Sequence, residues 1–192
     1  YSQDLSRVET VSDLDELLLG SAYYPAGYCY ISSYTLYTEG EAYNMFLHFM
    51  SDELQQNNTT STGVYFNAFE DLFGYFTWQR QVGINIKGTS VGTENTDWKK
   101  TYKYINVTNM ILDELKEIDA NGEQEIANKT RIEGEARFLR ALYYFTLVNL
   151  YADPYVPSKA AEISGIPLKL TSYIEDKEYT NSSVSRVYEQ II

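Results

Sequence analysis

Two long stretches with apolar residues at helical spacing, joined by a short turn, constrain this chain more than any other feature. Through residues 98 to 119, Trp98, Tyr102, Ile105, Asn109, Leu112, Leu115 and Ile118 recur every third or fourth position. That period places side chains on one face of an α-helix. Asn121-Gly122 follows, a pair able to adopt the left-handed conformation that ends such a helix. A second helix is expected over about residues 124 to 151. It is apolar on nearly all sides from Phe138 to Leu150, which implies burial by neighbours on more than one side. Pro154 and Pro157 then stop it. Two such helices with a short connection lie antiparallel and pack broadly, so the chain is expected to be all-α and built from helical-repeat units. The Ala-x-x-x-Phe spacing of Ala141 and Phe145 resembles the second helix of a tetratricopeptide motif.

The remaining segments read less sharply. An opening helix is expected after Ser12 as cap, with Asp13, Asp15 and Glu16 in its first turn. Leu14, Leu17, Leu18, Ser21 and Ala22 form its apolar stripe. Residues 25 to 38, rich in Tyr, Ser and Gly, are expected to be a loop, followed by a helix over 39 to 50 carrying Ala42, Met45, Phe46 and Phe49 on one face. Polar, turn-rich residues 51 to 63 and glycine-containing residues 83 to 97 read as two long loops. Between them Phe66, Phe69, Phe73 and Phe76 recur at helical spacing and read as core. After irregular residues 152 to 180, a last helix begins behind Ser182 or Ser183, with Val184, Val187, Tyr188 and Ile191 in register. It reaches Ile192 without a cap, so the chain is expected to be the first part of a longer protein. The 192 residues are read as a single domain, 1–192, large enough for one core.

Charge and residue inventory narrow the function. With 15 basic against 27 acidic residues and a net charge of −12, the chain is a poor partner for nucleic acid, which requires clustered Lys and Arg. A neutral ligand or a basic protein suits it better. The single Cys29 excludes an internal disulfide and reads as a small core residue. His48 is the only histidine, so metal motifs built on paired histidines are impossible, and no cofactor or metal is expected. Glu133 and Glu135 point to different faces of their helix, unlike the facing carboxylates of a glycosidase. Glu133, Arg137 and Arg140 share a face instead, which suits ion pairs. No catalytic residues are assigned.

Nineteen tyrosines, eight phenylalanines and two tryptophans supply many rings for packing or for ligand contact. A small ligand can lay an apolar face on exposed rings and offer its polar groups to amides and charged groups. Tyr75 lies opposite the phenylalanine stripe on a helical wheel and is therefore expected to be exposed. Trp78, Gln79 and Arg80 follow it into the glycine-rich loop. The candidate ligand site is Tyr75, Trp78, Gln79 and Arg80, with Tyr65 and Asn85 alongside. Trp98, on the apolar stripe of its helix, is read as core.

Gly134-Glu-Ala-Arg-Phe-Leu-Arg-Ala-Leu-Tyr-Tyr-Phe145 resembles the signature helix of the SusD/RagB family of nutrient-binding lipoproteins. Three further segments agree in order: Trp98 to Leu112, Gly165-Ile-Pro-Leu168, and Ser183 to Ile192. Ala152 departs from the family's usual glycine, and residues around Asn181 from its usual arginine. The resemblance implies a tetratricopeptide-like scaffold, lipid-anchored at the surface of a Gram-negative bacterium. It also implies a non-catalytic role, capturing an oligo- or polysaccharide or another nutrient for a TonB-dependent (SusC-like) outer-membrane transporter. The alternatives are a protein-docking scaffold without a small-molecule site and, more remotely, a glycoside hydrolase.

Overall fold

A computed structural model describes residues 8–24, 29–32, 35–38, 50–52, 73–79, 84, 87–89, 94–176 and 178–192, with backbone alone at 29–32, 35–38 and 94–97. The chain divides into two compact units, residues 1–23 with 101–192, and residues 24–100.

In the first unit, α1 (Val11–Leu17) starts on a capping box. Thr10 Oγ1 accepts from the Asp13 amide at 3.1 Å, while the Asp13 carboxylate accepts from the amides of Thr10 at 2.9 Å and Glu9 at 3.0 Å. These bonds, the one from Glu9 foremost, hold the Asp13 carboxyl below its ordinary pKa. The cap is thus Thr10 and not Ser12. Starting there adds Val11 to the buried face with Leu14 and Leu18. The helix then loosens into a π-helical turn, Leu18–Ala22, which buries Ala22 and leaves Ser21 exposed, a change of register that the regular wheel does not contain. The Ala22 carbonyl at this turn accepts from the buried Tyr143 hydroxyl.

The long helices are α2 (Glu94–Glu114) and α3 (Glu123–Tyr151). Helix α2 begins four residues before Trp98, inside the expected loop, and closes at Glu114 with a turn over 115–117. Ile118, beyond that turn, stays buried. Gly122 has φ 87° and caps the start of α3, so the Asn-Gly pair opens the second helix and does not end the first. The Tyr104 and Tyr143 rings lie 5.7 Å apart, Arg140 bonds Asn109, and Lys129 Nζ bonds the Ile118 carbonyl. Positions rise along one helix as they fall along the other, so the pair is antiparallel.

Helix α3 buries Ile132, Ala136, Leu139, Tyr143, Tyr144, Leu147 and Val148. Phe138, Leu142 and Phe145 are exposed, so the expected burial on all sides is not met. A wheel counts apolar residues but holds no information on where neighbours lie. Helix α4 (Val184–Ile191) is capped by Ser183, whose side chain accepts from the Arg186 amide, and it buries Val184 and Val187. Its start is held by pairing of Ser164 with Ser183. There a Cβ on Gly165 would meet the Ser182 carbonyl at 2.9 Å, so only glycine fits.

In the second unit, part of the expected 25–38 loop is a hairpin: β1 (Cys29–Ser32) pairs antiparallel with β2 (Thr35–Thr38), Ser32 opposite Thr35. Tyr30, Ile31, Leu36 and Tyr37 favour extended backbone, and the surrounding Ser and Gly obscured that preference. The helix expected over 39–50 and the loop over 51–63 lie outside the described residues, apart from 50–52. So do Phe66, Phe69 and His48.

The asymmetry of α3 is testable by thermal unfolding. Leu147→Ala should cost about 2–5 kcal/mol, whereas Phe138→Ala, at a residue 67% exposed, should stay within about 0.5 kcal/mol. Equal losses would contradict the one-sided packing.

Candidate binding site

Residues 73–79 form a short helical turn with a tight ending. The Thr77 amide donates to the Phe73 carbonyl at 3.0 Å, Trp78 to Tyr75 at 3.2 Å, and Gln79 to Gly74 at 2.8 Å. The last two bonds are the 5→2 and 6→1 pair of a Schellman motif, whose fifth residue takes the left-handed conformation. Glycine usually occupies that place. Here it is Trp78, with φ 55°, the only non-glycine residue with positive φ among those described. A side chain in this region costs roughly 1–2 kcal/mol. Even so, the Trp78 ring gains little from burial, because it is 71% exposed. Gln79 beside it is exposed as well.

Tyr75 is not on the outside. It is only 5% exposed, between half-buried Phe73 and Phe76, which corrects the expectation drawn from the wheel. The wheel assumed one buried face, and that assumption fails for a single turn that ends at Thr77. Tyr65, Arg80 and Asn85 lie outside the described residues. The structure therefore presents Trp78 and Gln79 side by side at the surface and withdraws Tyr75. Chemically, an exposed indole offers a flat apolar face, and the neighbouring carboxamide both donates and accepts hydrogen bonds. Trp98, read as core, is half-buried.

The first unit contains a polar network that sequence reading missed, although Asn109 stood out as an amide on an apolar stripe. Asn109 is fully buried. Its Oδ1 accepts from Arg140 at 2.9 Å, and its Nδ2 donates to the carbonyls of Lys169 at 2.8 Å and Thr171 at 3.4 Å. The Tyr144 hydroxyl donates to the Lys169 carbonyl at 2.6 Å and lies 2.9 Å from the Lys169 amide, while Tyr102 donates to Pro167 at 2.8 Å. Segment 167–171 is thereby fastened across α2 and α3. Burial pushes the Tyr144 hydroxyl up to about 12 and raises Tyr102 further, so both remain neutral donors. Burial also draws the Arg140 guanidinium below its ordinary value.

Asp113 extends the fastening. Its carboxylate accepts from the Ser172 amide at 2.9 Å, the Ser172 hydroxyl at 3.0 Å and Lys116 Nζ at 2.8 Å. Burial alone would raise this carboxyl, but the bonds from Lys116 and Ser172 outweigh it and hold it below the ordinary carboxylate value. The carboxylates weighed earlier as a catalytic pair are engaged separately. Glu133 pairs with Arg137 at 2.6 Å; Glu135 pairs with Arg131 at 2.8 Å and accepts from Tyr23 at 2.7 Å. Arg131 also reaches Asp15 at 2.7 Å, tying α1 to α3. Arg140, grouped with Glu133 and Arg137 by sequence, turns inward to Asn109 instead. Among the described residues, no three His, Cys, Asp or Glu side chains gather as metal ligands would, and no helix is long and apolar enough to cross a membrane.

The antiparallel helices define a tetratricopeptide-like helical scaffold. The chain belongs to the SusD-like family described as starch-binding and associating with the outer membrane, whose sequence model matches residues 33–192. A curated SusD-like protein of Formosa agariphila is 25% identical over 148 residues, covering 73% of this chain and 26% of that protein. Two solved SusD superfamily proteins share the fold over 95% of this chain. The one from Bacteroides fragilis has a TM-score of 0.59 at 23% identity, and the one from Bacteroides thetaiotaomicron 0.57 at 18%. A third, a SusD-like carbohydrate binding protein from Bacteroides vulgatus, has 0.52 at 22%. The chain spans 34–37% of these three structures and about a quarter of the Formosa relative.

Because the Asp113 carboxyl lies below its unfolded value, its stabilisation is present above about pH 4 and fades as pH falls through the folded value. Asp113→Asn should cost about 1–3 kcal/mol at pH 7. The gap from the parent protein, followed by denaturant unfolding, should narrow at pH 3. A gap independent of pH would show that the ionised carboxylate contributes nothing to holding Ser172.

Proposed function

We propose that this chain is the helical part of a cell-surface, lipid-anchored protein that binds an oligo- or polysaccharide without chemical change and delivers it to a TonB-dependent outer-membrane transporter. The observation that carries the binding role is Trp78: a large ring held in solvent on a left-handed backbone that glycine would occupy with less strain. Backbone strain of this kind concentrates where a side chain has a task other than folding. Family membership and the carbohydrate-binding description of the Bacteroides vulgatus neighbour supply the ligand class. In this reading the sugar's apolar face stacks on the indole, and Gln79 takes a hydroxyl.

Binding of the full-length protein and of this chain to a glycan array tests the reading. Trp78→Ala should abolish binding by both. Trp78→Gly should abolish it too, while raising stability by about 1 kcal/mol through relief of the left-handed strain. Glycan binding by the full-length protein that ignores both substitutions would move the site elsewhere. No binding to any glycan by the full-length protein would leave the docking-scaffold reading.

A further inference from the structure

We infer that the stripe Gly134, Phe138, Leu142 and Phe145 along α3 is the seat of a further helix, supplied by the polypeptide that follows Ile192 in the full-length protein. The inference rests on the proposal above only in taking this chain as part of a longer protein, and is independent of glycan binding.

Helix α3 has two unlike sides. Its buried residues, from Ile132 to Val148, are already covered. On the other side Phe138, Leu142, Phe145 and Asn149 recur at intervals of four, three and four, and all four are exposed, Phe138 at 67%. That alternation is the seam a second helix fits, the side chains of one entering the spaces between those of the other. From Gly134 to Phe145 the stripe runs about 16 Å. The charges beside it are matched to one another, Glu133 to Arg137 and Glu135 to Arg131, so the seam itself is apolar and uncharged.

Gly134 is a second, independent sign. It lies on the same stripe, four residues before Phe138, inside a helix of 29 residues. Glycine there is less favourable than alanine, because it surrenders more backbone freedom on folding. Among the described residues nothing compensates. Beyond the helix's own backbone, no atom lies within 4 Å of the place a Cβ would take. A helical glycine with open space over it suits the close approach of another backbone. The one-sided packing of α3 is thus that of residues 1–192, not of the full-length protein.

Helix α4 indicates where the covering helix comes from. Tyr188 sits at the edge of the stripe: its ring is 6.3 Å from that of Phe145, and its hydroxyl donates to Asn149 at 3.4 Å. Ile192 is about one turn past this residue, which is already seated against α3. The chain spans 34–37% of the three solved SusD relatives that share its fold. Most of each relative therefore lies outside it, with ample length for one more helix.

The test uses the full-length protein. Hydroxyl-radical oxidation of Phe138, read by mass spectrometry, should run about tenfold slower in the native state than in urea. A side chain as open as the 67% seen here would oxidise at nearly its unfolded rate, and that result would overturn the proposal. With p-benzoylphenylalanine in place of Phe138, irradiation should cross-link this position to a peptide that follows Ile192 in the same molecule. A cross-linked dimer would assign the seat to a second copy, and a cross-link within residues 1–192 to segments of this chain; either would overturn the proposal. Gly134→Leu has room among the described residues, yet it should lower the full-length thermal midpoint by several degrees. An unchanged or raised midpoint would show that no backbone lies close to Gly134 and would also overturn it. Glycan binding is read separately, so failure of either reading leaves the other standing.

Discussion

A fully buried amide must find hydrogen-bond partners, because leaving one unpaired in an apolar interior costs about 1–3 kcal/mol. Asn109 meets this requirement in a way that organises the first unit. Its oxygen accepts a hydrogen bond from Arg140 on α3, and its nitrogen donates to the carbonyls of Lys169 and Thr171. The inward turn of Arg140 and the path of segment 167–171 together satisfy this one side chain, across the paired helices α2 and α3. Tyr144 and Tyr102 reinforce it from either helix. On the same pair of helices Tyr104 packs against Tyr143, and Leu147 is buried.

The second unit shows the opposite balance at Trp78. The Schellman ending could be made with glycine at less strain, and the ring that is there instead stays in water. Packing among the described residues accounts for neither feature.

Several parts of this protein were legible in the sequence because they depend only on local periodicity. The helical class, the α2–α3 pair, the start of α4 behind Ser182 or Ser183 and the position of α3 to within a residue follow from apolar spacing and cap chemistry. The family was legible too, carried by the residue order in the signature helix. Of the candidate residues, Trp78 and Gln79 are exposed, while Tyr75, which the wheel placed outside, is buried. Tyr65, Arg80 and Asn85 fall outside the described residues.

Tertiary structure alone decided the features that depend on what lies opposite a residue. The Thr10 cap brings Val11 into the core, and the π-helical turn puts Ala22 inside in place of Ser21. Gly122 opens α3 because α2 has already closed at Glu114. Phe138 and Phe145 are exposed although their composition matches that of buried neighbours. A linear sequence records which side chains share a helix face. Which face meets another element, and which buried polar group finds its partner dozens of residues away, is set only when the chain folds back on itself.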